Sequence, residues 1–85
     1  MTCRVQVRYF ASIREALGAG ETVELPAGAT LGTLRDLLIA RDAAHARALS
    51  RDRALRAALD QTMSDESAVL RDGAEVAFFP PVTGG

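Results

Sequence analysis

The residues best placed to do chemistry are the last two, Gly84 and Gly85, and the reacting group they offer is a main-chain carboxylate, not a side chain. Neither glycine carries a Cβ, so this end can enter a channel too narrow for any other pair. The lead-in Phe78-Phe79-Pro80-Pro81-Val82-Thr83 supports that use. Its two prolines favour a stiff, extended segment and cannot continue a central strand. From Pro80 to Gly85 the chain can reach about 20 Å at roughly 3.3–3.6 Å per residue. The pattern suggests a carboxylate held out for another protein's active site. The alternative is a frayed terminus, where glycine is common.

Other candidates for chemistry are weaker. Cys3 is the single cysteine, so no internal disulfide can form. Its place in a strand pattern predicts a buried, inert thiol. His45 is also alone, in an alanine-rich helical stretch without carboxylate or cysteine partners at ligand spacing. A solvated helix histidine is the expectation there, and no metal site. All ten basic residues are arginine. With no lysine, a P-loop is excluded, and the tail cannot form an isopeptide with its own side chains. Gly18-Ala19-Gly20 precedes a strand pattern and reads as a turn. No nucleotide site or bound cofactor of its own is expected.

Eighty-five residues make one domain with one small core. The formal net charge of −1 offers no basic surface, so nucleic acid is not an expected partner. No apolar run approaches the roughly 20 residues of a membrane span, and Arg4, Arg8 and Arg14 interrupt any signal-peptide pattern. The expected location is cytoplasmic, with no membrane contact.

The elements that must position the tail follow from periodicity. Cys3, Val5, Val7 and Tyr9 alternate with Arg4, Gln6 and Arg8, predicting a half-buried strand that Phe10 breaks by placing an aromatic on the polar side. Ala11 to Leu17 reads as a short helix with Ser12 near its start and Gly18 as its stop. Glu21 to Leu25 reads as a strand ended by Pro26-Ala27-Gly28. Thr30 is a helix cap, and Leu31, Leu34, Leu37 and Leu38 form an apolar stripe with Arg35, Asp36, Arg41 and Asp42 away from it. Helical tendency persists from Ala43 to Leu49, with a break near Ser50. Arg53 to Leu59 fits a helix by propensity and a strand by alternation. Gln61 to Ser67 is polar and turn-like, and Asp72-Gly73 signals a hairpin turn. Ala74 to Phe79 reads as the last strand, with Val76 and Phe78 facing one way and Ala77 and Phe79 the other. The fold class is α+β, two layers thick. Phe10 and Phe79 are out of phase with the inward residues; if the first and last strands pair, they share one exposed face. The alternative is a second small core. Arg14 reads as a solvated helix residue that could add a salt bridge.

The stretch DGAEVAFFPPVTGG (72–85) resembles the C-terminus of the small subunit of molybdopterin synthase. The opening VRYFASIREALG is similar to that family's first strand and helix, and ALDQTMSDE to its third-strand region; Asp60 stands where the family often has asparagine. The resemblance implies a ubiquitin-like β-grasp, a mixed sheet curled over one main helix, spanning residues 1–79, with 80–85 a flexible tail. It implies that Leu55 to Met63 is largely strand. It also implies a sulfur carrier of molybdenum cofactor biosynthesis, non-catalytic alone. In that family the C-terminal glycine, Gly85 here, is adenylated by an E1-like activating enzyme that uses ATP. The adenylate becomes a thiocarboxylate, whose sulfur passes to cyclic pyranopterin monophosphate in the large subunit, within a heterotetramer. Phe10, Met63 and Phe79 are then an apolar contact patch for both partners, continued by Pro80, Pro81, Val82, Thr83 and Gly84. Carriers of thiamine or cysteine biosynthesis, and protein modifiers, share the terminal glycines and are the alternatives.

Overall fold

The computed structural model describes residues 1–81. Strand β1 (Thr2–Tyr9) buries Cys3, Val5, Val7 and Tyr9 and exposes the residues between them, as the alternation requires. Helix α1 (Ala11–Leu17) starts at Phe10 without a side-chain cap, so Ser12 does not serve as one; it stops at Gly18, whose φ of 93° suits glycine. Strand β2 (Gly20–Pro26) returns antiparallel to β1. Gly20 sits so close to β1 that a Cβ there would fall 2.3 Å from the Val7 carbonyl oxygen.

Helix α2 (Leu31–Ile39) begins at Thr30, whose hydroxyl accepts from the Thr33 N–H at 3.2 Å. The first helical N–H groups of Leu31 and Gly32 donate to the carbonyls of Ala68 and Glu66, which ties the 65–70 segment to the helix start. Leu31, Leu34 and Leu38 are fully buried, while Leu37 packs against the core from its edge. The helical stretch has an unexpected break at 40–42, restarts as α3 (Ala43–Ala48) capped by Asp42, and ends before Ser50 as expected.

The Arg53–Leu59 ambiguity resolves to strand β3 (Arg56–Leu59), followed by β4 (Thr62–Met63). Asp60 and Gln61 between them both have positive φ, 49° and 70°, as a two-residue hairpin turn demands. Sheet pairing outweighs helix propensity here. Strand β5 (Glu75–Phe79) runs parallel to β1 and antiparallel to β3, giving the order β2-β1-β5-β3-β4. The Asp72-Gly73 turn does not join a hairpin. It docks on the start of β1, with Arg4 N–H donating to Asp72 Oδ1 at 2.8 Å and Gly73 N–H to the Arg4 carbonyl at 2.7 Å. The result is a mixed sheet with α1, α2 and Leu49 packed on one face, the α+β arrangement expected. Among the described residues no helix is long and apolar enough to cross a membrane.

Candidate functional site

The site is the end of β5. This strand lies between β1 and β3, so both its edges are paired. Arg56 of β3 faces Phe79, and the Phe10 N–H donates to the Phe78 carbonyl at 3.1 Å. Phe78 is buried and stacks on Tyr9 with ring centroids 6.4 Å apart. Pairing holds through Phe79 and then stops, because Pro80 and Pro81 have no N–H to donate. Pro80 is half-buried and Pro81 exposed. The expected site residues Val82, Thr83, Gly84 and Gly85 lie outside the described residues.

Beside this exit the structure brings Phe10 and Phe79 together. Their rings meet edge to face at 6.5 Å, and the Arg8 guanidinium carbon stands 5.7 Å from the Phe10 ring centroid. Phe10 remains 39% exposed, so the pair is not a second core. Ala11, the next residue, adopts a left-handed φ of 54°, uncommon without glycine, at the bend between β1 and α1. Met63 is 52% exposed. Register places it opposite Ala58, which faces Ala77, so Met63 shares the outer face with Phe79 but sits two strands from β5. Arg14 is exposed and makes no ion pair among the described residues.

Away from the exit, two expectations fail. Arg35 is buried, not solvated. Its guanidinium donates to the carbonyls of Leu49 (2.8 Å), Ser50 (2.5 Å) and Arg53 (3.1 Å) and pairs with Glu66 at 2.9 Å. The signal was present: Arg35 follows Leu31 by four residues and precedes Leu38 by three, which places it on the buried face. Arg51 donates to Asp36 and Glu66 alongside, and its hydrogen bond holds the Glu66 carboxyl below its usual range despite burial.

His45 is not solvated either; its side chain is 12% exposed. Nε2 lies 2.8 Å from Glu21 and Nδ1 2.8 Å from Asp42. Tyr9 donates its hydroxyl to Glu21 at 2.7 Å, and Arg41 also pairs with Glu21. Burial pushes His45 down, but the hydrogen bonds to Glu21 and Asp42 outweigh it and leave the imidazole raised. Burial likewise opposes Glu21, whose bonds from His45 and Tyr9 keep it lowered. Asp42 is lowered by the His45 backbone N–H and ring. Burial, then Glu21, lift the Tyr9 phenol far above its ordinary range. Asp42, three residues before His45, was the overlooked partner. The cluster welds β2 to the α2–α3 junction. Through Tyr9, which stacks on Phe78, it reaches the base of β5 from the inner face, but every partner in it is occupied, so it has no free acid or base to offer. Cys3 is free and buried, as expected.

Comparison with known proteins agrees with this geometry. Residues 7–85 match the ThiS family. The molybdopterin synthase sulfur carrier subunit of Escherichia coli (strain K12) is 42% identical over 81 residues, covering 95% of this chain and 99% of that one. A solved complex of subunits 1 and 2 of the molybdopterin-converting factor from Helicobacter pylori contains a similar chain: TM-score 0.62, 28% identity, covering 96% of this chain and 99% of that one. A Caldiarchaeum subterraneum ubiquitin superposes with a TM-score of 0.66 at 16% identity over the full length of both, a likeness of fold alone that fits the ubiquitin-like β-grasp.

Proposed function

The chain belongs to the ThiS family, and from that premise we propose that it is the sulfur-carrier subunit of a molybdopterin synthase, loaded and unloaded at the Gly85 carboxylate. The observation that carries this reading is β5: a central strand clamped on both edges to Phe79, where pairing stops at two prolines, and which the sequence continues to Gly84-Gly85. Relatives so named match along nearly their whole length.

The chemistry follows from the carboxylate. An α-carboxyl group, with an ordinary pKa of about 3.5, is ionised at neutral pH and a poor electrophile. An E1-like activating enzyme supplies the remedy, since this chain has no phosphate-binding motif. A carboxylate oxygen attacks the α-phosphorus of ATP and pyrophosphate leaves. A sulfur donor then adds to the acyl carbon and AMP leaves, giving a thiocarboxylate. Its ionised, polarisable sulfur is a better nucleophile than the carboxylate oxygen it replaces. In the large subunit that sulfur passes to cyclic pyranopterin monophosphate, twice per dithiolene. The carrier's own part is reach, thinness and a rigid anchor. Water must be excluded by the partner, because an acyl-adenylate hydrolyses readily. Phe10, Met63 and Phe79 dock on both partners, and the reaction is cytoplasmic.

Intact-protein mass spectrometry tests this. Incubation with the activating enzyme, ATP and a sulfur donor should exchange one oxygen for sulfur. Deleting Gly85 should abolish transfer while the circular dichroism spectrum stays unchanged. A truncated chain that still supports synthesis refutes the reading.

A further inference from the structure

Five of the ten arginines, namely Arg4, Arg8, Arg35, Arg41 and Arg51, are in ion pairs within the chain. The other five are not, among the described residues, and Arg47 and Arg53 are two of them. Both line one groove of about 380 Å³ between α1 and α3. Its floor is apolar, made by Ile13 and Ala16 from α1 and Ala44 and Ala48 from α3. The small residues leave room there for an inserted side chain.

The groove adjoins the tail exit. Helix α1 starts immediately after Phe10, whose N–H is bonded to Phe78, and Arg53 precedes by three residues the strand residue that faces Phe79. A partner that takes the tail therefore lies within reach of it. A stable two-subunit assembly buries roughly 800 Å² on each side. Three part-exposed side chains supply well under half of that, so the footprint must extend onto neighbouring surface.

We propose that the α1–α3 groove is a second docking site, which seats an acidic segment of the large synthase subunit: an apolar side chain on the alanine floor and carboxylates on Arg47 and Arg53. This rests on the function proposed above. It divides the work between two surfaces. The Phe10–Phe79 patch serves both partners, and the groove adds a charge-dependent contact reserved for the synthase. Unpaired charges at a rim act chiefly on association rate and partner choice.

Calorimetric titration of the full chain with the large subunit tests it. Reversing both charges (Arg47→Glu with Arg53→Glu) should weaken binding about tenfold at low salt, and the difference should shrink as salt screens the contact. Arg47→Lys with Arg53→Lys should restore most of the affinity. Ala16→Leu, which fills the groove, should weaken binding equally at low and high salt. Thiocarboxylate loading by the activating enzyme should stay at the wild-type rate in every variant. Unchanged affinity of the charge-reversed chain at low salt overturns the groove proposal alone. An equal loss in loading overturns its assignment to the large subunit. A wild-type chain that does not bind the large subunit overturns the functional reading, and the groove with it.

Discussion

At the α2–α3 corner, Arg35 satisfies three carbonyls, one of them buried, and a carboxylate, and His45 sits between two carboxylates. Around the end of β5, Phe10 stays exposed and the strand stops at two prolines; Met63 on β4 is exposed too, and Arg47 and Arg53 in the α1–α3 groove have no ion-pair partner among the described residues. One region spends its polar groups on itself; the other leaves apolar and charged groups for something else. Closed networks hold a fold together, whereas unmet groups at a surface mark where it acts. Stability and sulfur delivery should therefore be separable by mutation.

The largest stability effect is expected at Arg35. Replacing it with alanine strands the Leu49, Ser50 and Arg53 carbonyls and leaves Glu66 without its buried partner. Glu66 is part-exposed and keeps Arg51, so the main cost is a buried acceptor left unpaired, typically about 1–3 kcal/mol. Urea unfolding should show that loss, while the fraction still folded is loaded with sulfur at the wild-type rate. If stability barely changes, the corner does not hold the fold and the comparison fails.

The converse substitution is Phe79→Ala. It removes half of the edge-to-face pair with Phe10 at the tail's base. A central aromatic at an interface commonly contributes about 2 kcal/mol or more to binding, so affinity for the large subunit should fall by more than tenfold. Phe79 is only half-buried, so the unfolding midpoint should move much less than for Arg35→Ala. A drop in stability that matches the drop in affinity would make the pair a piece of core.

The two regions were unequally legible in the sequence. The end of β5 was readable because its signals are local: two prolines that stop the pairing and a phase break at Phe10 against the alternation of β1. Strand β5 and the stripe of α2 were readable for the same reason. The corner was not, because residue type misled where spacing did not. Arg35 carries a charge that argues for solvent, yet it stands on the leucine face, and only carbonyls brought from the 49–53 segment make that burial tolerable. His45 needed Glu21, which comes from a strand 24 residues away. The β3–β4 hairpin was hidden by helix-favouring alanine, leucine and arginine, and by a turn in which Gln61 takes a left-handed conformation that its type does not advertise.

The smallest effect concerns His45, and it sharpens the comparison through pH. The imidazole is raised above 6.5, so its contribution to stability is complete below about 6.5 and is lost as pH rises through the folded value. Glu21 is lowered below 4.5, so its contribution is present above about 4.5 and is lost as pH falls through its folded value. Both groups are fully engaged only between those limits, where imidazolium meets carboxylate. Thermal unfolding of the wild type should therefore show a midpoint that declines from pH 6 towards pH 8. His45→Gln removes the titrating group and should flatten that decline, at a loss of about 1 kcal/mol near pH 6. Binding of the large subunit should show no matching pH dependence in either protein, because the titrating groups pair with one another inside the cluster and not with the exposed Phe10–Phe79 face. Parallel midpoint curves for the two proteins would show that His45 is not what links the corner to pH. A binding profile that followed the melting profile would show that the corner and the tail end are coupled after all.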